Sequence, residues 1–154
     1  MSVSKKLKNN EYIDSTGIVH NKILLKTILN NLLDDTGWVD LSNYVNTQYF
    51  TVRPGYPPKA RKKGGIVYWQ GEVYCSTNVN DKVACLLTNI PTNFIPHQQH
   101  SNTCTPYMTS TSYNIYIENL NSVGRIRVSS SNNITTQSTL GGFQLSNLSG
   151  YLAV

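Results

Sequence analysis

The sequence predicts a mainly β protein: an antiparallel β-sandwich or jelly-roll-like barrel head preceded by a short N-terminal α-helix. Three observations carry this. Ten Tyr stand among many Thr, Val and Ile, and β-branched and aromatic side chains suit the half-buried pleated surface of a sheet. Short apolar-polar alternations recur along the chain from residue 37 onward. Gly and Pro punctuate the gaps between them, where a missing N–H or a positive φ does no harm. At 154 residues the chain suits a single core. With only 14% of its residues charged, it is polar through Asn, Ser and Thr.

The chain divides into an N-terminal arm with a short helix, residues 1–36, and a β head, residues 37–154. Residues 1–17 are polar and read as an arm whose order depends on neighbours. From Ile18 to Leu33 apolar residues fall at Ile18, Leu25, Ile28 and Leu32, with Leu24, Leu29 and Leu33 widening the stripe, as in an amphipathic helix. Such a stripe needs a partner. It packs either on its own domain or on copies of itself, with Ile18, Leu25, Ile28 and Leu32 as the seam. The helix should stop at "DDTGW", where Gly37 suits a left-handed C-terminal turn.

Beyond this point the strands are expected in "WVDLSNYV", "QYFTV", "GIVYWQGEVYC", "KVACLLTNI", "YNIYIENL", "GRIRVSS" and "GGFQLSNLSGYLAV". In "SYNIYIENL", Ile115 and Ile117 share one face while Asn114, Tyr116 and Glu118 share the other. "GRIRVSS" turns Ile126 and Val128 inward in the same way. In "RKKGG" two glycines form a tight turn and the basic residues guard a strand edge. "IPTNFIP" buries Ile90 and Phe94 in an extended connection. "NSVGRIRV" gives Asn121 and Gly124 to a turn.

The formal charge of +5 gathers at Lys5, Lys6 and Lys8 and at Lys59, Arg61, Lys62 and Lys63. No stacking motif or helix-turn-helix pattern accompanies it, so no nucleic acid partner is expected. Cys75, Cys85 and Cys104 are odd in number and lack paired zinc spacing, and read as free thiols. No long apolar run predicts a signal peptide, a membrane span or membrane insertion. His97, His100 and Cys104 make a metal-like cluster only if their loop folds back, and no metal or other cofactor is expected. The acids of the β region, Asp40, Glu72, Asp81 and Glu118, form no paired motif of the kind glycan hydrolysis needs, and there is no "GxSxG" elbow. No catalytic residue is assigned, and the protein is expected not to be an enzyme.

The ordered set "GWVDL", "ARKKGGIVYWQGEV", "LLTNIPTNFIP", "YNIYIENLNSVGRIRV" and "LGGFQLSNLSGYLA" resembles the head domains of receptor-binding and baseplate-tip proteins of tailed phages of Gram-positive bacteria, of the lactococcal siphophage type. The resemblance covers residues 37–154. It implies a homotrimer on the virion, at a phage tail tip or baseplate, made in the host cytoplasm. The N-terminal region would join other baseplate or tail proteins, and the head would bind a host cell-wall polysaccharide. Saccharide binding needs an aromatic face and a few hydroxyl-gripping side chains. Trp69, His97, His100, Tyr107, Tyr113, Tyr116 and Glu118 are the candidates, whereas Trp38 is expected to pack in the core or at an interface. A structural connector that binds only other virion proteins is the competing expectation.

Overall fold

The structure is a computed structural model that describes residues 11–13, 19–21, 26, 28–30, 33–106, 110–120, 123–137 and 141–153. It is mainly β and antiparallel. Strands β1 (Glu11–Ile13) and β2 (Val19–Asn21) form a small ladder of their own. Lys26, residues 28–30 and Leu33 are helical. Val19–Asn21, inside the stretch read as one helix from Ile18, is therefore strand, and the arm before Gly17 contributes a strand as well. Ile13 and Val19 face each other in that ladder, and β-branched residues favour the extended backbone.

Among the described residues eleven further strands follow: β3 (Val39–Asp40), β4 (Phe50–Val52), β5 (Lys59–Lys63), β6 (Ile66–Gln70), β7 (Glu72–Cys75), β8 (Val83–Ile90), β9 (His100–Cys104), β10 (Tyr113–Leu120), β11 (Val123–Ser129), β12 (Phe143–Gln144) and β13 (Tyr151–Leu152). They pair as three sheets, in the orders β8-β11-β10-β9, β12-β7-β4 and β13-β6-β5-β3. Among the described residues no sheet closes on itself into a barrel.

The first of these sheets is built as the alternation predicts. Ile115, Ile117, Ile126 and Val128 are buried, and Tyr116, Glu118, Arg125 and Arg127 occupy the opposite face. Two register shifts interrupt β8 against β11, leaving Leu86 and Asn89 unpaired. The first shift lets both Leu86 and Leu87 be buried; the second places Asn89 at φ 57°, a left-handed conformation that Asn tolerates. Gly124 lies inside β11 rather than in a turn. A Cβ there would come within 2.3 Å of Ile95, so this glycine permits close packing of strand on connection.

The other two sheets meet at Gly71. This residue separates β6 from β7 with φ 99°, and any Cβ on it would lie 2.2 Å from the Pro57 carbonyl oxygen. The chain can bend there and pass from one sheet to the next only because the side chain is missing. Phe143 ties these layers to the first sheet, meeting Tyr113 edge-on at 5.1 Å and Phe50 at 6.2 Å between ring centroids. Gly64 and Gly65, at φ 59° and 79°, make the two-residue turn from β5 to β6, as expected for "RKKGG". β5 is not an open edge, however. β3 pairs with its start, and Asp35 and Thr36 bridge to Lys63 and Lys62 at its end.

Further segments depart from the expectation, and Thr92–Phe94 in "IPTNFIP" and Leu145–Leu148 in "GGFQLSNLSGYLAV" are 3-10 turns. "SNY" in "WVDLSNYV" is a 3-10 turn because the Asp40 carboxylate accepts the Ser42 N–H at 2.8 Å, offering the backbone a local alternative to the sheet. "HSNTC" is strand β9, paired with β10 from Tyr113↔Cys104 to Ile117↔His100.

Candidate functional site

A cleft of about 390 Å³ opens on the outer face of the β13-β6-β5-β3 sheet, lined by Trp38, Arg61, Lys63, Tyr68 and Gln70, with Trp69 and Ser149 at its base. Strand alternation makes this face. Ala60, Val67 and Trp69 turn into the core, so the residues between them, Arg61, Tyr68 and Gln70, turn out. The ladder pairs Arg61 with Tyr68 and Lys59 with Gln70, which puts each cation beside a stacking or amide group. Trp38, 43% exposed, and Tyr68, 39% exposed, supply two large aromatic surfaces. Trp38 is thus not a core residue. It follows Gly37, whose φ of 63° turns the chain onto this face instead of inward.

The charge in the cleft is held in place. Arg61 donates from Nε and Nη2 to the two carboxylate oxygens of Asp35, at 2.8 and 2.5 Å. Asp35 also accepts the Gly37 N–H at 3.0 Å. The Arg61 hydrogen bonds come first among the causes that hold the Asp35 carboxyl far below the usual carboxylate range. The pair fixes a guanidinium edge that keeps its Nη1 free of bonds among the described residues. The base of the cleft is rigid as well. Trp69 Nε1–H donates to Tyr151 Oη at 2.7 Å, and that hydroxyl donates to the Phe94 carbonyl at 2.6 Å. Ser149 bonds the Trp69 backbone on both sides.

Past Gln70 the surface continues into two smaller depressions that share Tyr56, Gln70 and Gly71. Tyr56 is 55% exposed, and the Arg53 guanidinium sits over its ring at 4.5 Å. Arg53 is pinned in turn by Glu72, at 2.5 Å. The other carboxylate oxygen of the buried Glu72 accepts the Gly142 N–H.

The candidates chosen from sequence do not gather at one place. Trp69 is 2% exposed and packs edge-on against Phe94 at 6.4 Å; it supports the cleft from below. Tyr113 is buried against Phe143. Tyr116 and Glu118 lie on the far sheet, where Glu118 accepts Arg125 at 2.6 Å and Arg127 at 2.9 Å and Arg127 lies 5.2 Å over the Tyr116 ring. His97 and His100 line a separate hollow of about 380 Å³ with Tyr151 and Leu152, and His100 stacks on Tyr151 at 5.0 Å. Cys104 is buried at the opposite end of β9 from His100, so four residues of extended strand, roughly 13 Å, keep it from joining the two histidines. Tyr107 lies outside the described residues, as do Ile18, Leu25 and Leu32 of the expected trimer seam. Ile28 is helical and exposed.

Sequence reasoning missed Arg61, Lys63, Tyr68 and Gln70 as site residues. The signal was present in "KARKKGGIVYWQ", where both strands of a hairpin alternate and the outward set is basic on one strand and Tyr, Gln on the other. No family model matches this chain, and no curated protein or solved structure matches it.

Proposed function

We propose that the protein is a non-catalytic saccharide-binding head, a phage tail or baseplate receptor-binding protein that recognises a host cell-wall polysaccharide. The observation that carries this reading is the Trp38–Tyr68 cleft. Exposed aromatic faces stack on the C–H surface of a sugar, and the fixed Arg61 edge with Gln70 and Lys63 offers donors to its hydroxyl or acidic groups. The virion setting rests on the resemblance of residues 37–154 alone, which is an analogy of pattern.

The acids favour binding over cleavage. Asp40 accepts the Ser42 amide, Asp81 the Lys82 and Val83 amides, Glu72 the Arg53 and Gly142 donors, and Glu118 two arginines. Each of these four carboxylates is engaged in holding the fold. In this reading the three head sheets form a sandwich, the β8-β11-β10-β9 sheet opposite a second layer made of the two sheets that meet at Gly71. Assembly as a homotrimer joined to other baseplate proteins through the N-terminal region would multiply weak sites into strong attachment.

The competing reading, a connector that binds only other virion proteins, draws on the exposed helical residues Ile28, Leu29 and Leu33, which ask for an apolar partner. A binding screen against immobilised wall polysaccharides of Gram-positive bacteria separates the two. Retention is expected for the wild-type protein, with at least about a tenfold loss, some 1.4 kcal/mol, in Trp38→Ala and Tyr68→Ala. Absence of retention on every polysaccharide, from a folded sample, rejects the saccharide reading.

A further inference from the structure

The surface that holds the Trp38 cleft continues past it. On the same surface two stations are built to one plan: an exposed aromatic ring beside a guanidinium that a carboxylate holds still. At one station Trp38 and Tyr68 flank Arg61, fixed by Asp35. At the other Tyr56 lies under Arg53, fixed by Glu72. Gln70 lines the depressions at both stations, and Lys59 faces it across the ladder, so polar groups fill the interval. Along β6, Gln70 stands two residues beyond Tyr68, about 7 Å. Gly71 follows, and Tyr56 reaches it through the Glu72 N–H to Tyr56 carbonyl bond at 3.0 Å.

We infer that this surface binds a linear polysaccharide along its length, with one part of the chain on the Trp38–Tyr68 station and a later part on the Tyr56 station. The inference rests on the saccharide reading of the Trp38 cleft and adds the shape of the ligand. A single sugar or a chain end needs only one aromatic platform. Two platforms of the same construction, separated by more than one strand repeat and joined by hydrogen-bonding groups, fit a ligand whose units recur. Once the first station is occupied, the second contact is intramolecular and adds affinity without a new encounter. The pinning of both arginines lowers the ordering cost at each step, since a fixed guanidinium loses little rotamer freedom on binding.

The test uses the full chain and cell-wall polysaccharide of Gram-positive bacteria, partially hydrolysed and separated into fractions from disaccharide to octasaccharide. Titration calorimetry on each fraction reads affinity against length. The expected result is a step of at least about tenfold between the shortest and longest fractions. Tyr56→Ala should abolish the step, so that the longest fraction binds within about twofold of the shortest. Trp38→Ala should weaken all fractions. Tyr56→Phe, which keeps the ring over Arg53, should restore the step and guards against misfolding of the alanine variant. Affinity independent of length, or a length step that survives Tyr56→Ala, overturns the extended site while the saccharide reading stands. Binding of no fraction overturns both.

Discussion

Tyr151 carries its hydroxyl into the interior, where it accepts from Trp69 Nε1 and donates to the Phe94 carbonyl. Burial pushes the Tyr151 phenol far above its ordinary value, although the bond from Trp69 works the other way. Tyr151→Phe would leave a buried indole N–H and a buried carbonyl without that partner. The expected loss is about 1–3 kcal/mol, read as a lower urea midpoint at unchanged slope. Glu118 is the second residue on which charge decides an outcome. Burial alone would raise its carboxyl, but the hydrogen bonds from Arg127 and Arg125 outweigh it and hold the group below the ordinary glutamate value. A depressed folded-state carboxyl stabilises above the unfolded-state value and loses that contribution as pH falls through the folded one. Glu118→Gln should therefore cost about 1–2 kcal/mol near neutrality, given its partly exposed partners. The gap to wild type should narrow as pH drops below about 4; urea titrations at a series of pH values check this, and a gap that stays constant down to acid pH counts against the ion-pair account.

At the scale of elements, the bend between β6 and β7 positions both stations of the surface. Gly71 is strained for any side chain by its φ of 99° and by the Pro57 carbonyl beside it. Gly71→Ala combines backbone strain with overpacking and should cost about 2–5 kcal/mol. Gly55, at φ 80° with open space where a Cβ would stand, carries strain alone, so Gly55→Ala should cost about 1 kcal/mol. Thermal unfolding of the two variants compares them directly. The sequence showed that strand fills "GIVYWQGEVYC", because the apolar pattern is local. It did not show that Gly71 divides the strand between two sheets, since that depends on Pro57, fourteen positions away. Trp38 and Trp69 show the same limit. Both are large and apolar, and only the cross-strand register Ala60↔Trp69 and the turn at Gly37 decide that one is floor and the other rim. "HSNTC" was illegible as a strand for a related reason: its polar residues are held in place by pairing with β10, not by an apolar face of their own.

For the whole molecule, the polar residues that cover the head leave the helical residues before it as the exception. Ile28, Leu29 and Leu33 are exposed, and three large aliphatics on one short helical stretch form the kind of apolar cluster that seeks a partner. Copies of this chain are the partner that the trimer proposal supplies. Burying these side chains would favour association by about 1.5–3 kcal/mol apiece at full burial, against which stand the orientational costs of assembly. Light scattering at micromolar concentration should then give the mass of three chains. Leu29→Lys combined with Leu33→Lys should reduce it to one, because each desolvated ammonium would have no opposite charge among the apolar groups it displaces. The head should remain folded in that variant, since its core is drawn from residues 41–151, and binding of the single-chain variant to a disaccharide should be unchanged. What should fall is attachment of the assembly to whole polysaccharide surfaces, by about a hundredfold or more if three heads engage together. A wild-type mass of one chain at that concentration would remove self-association as the fate of this helix and leave it to a different protein.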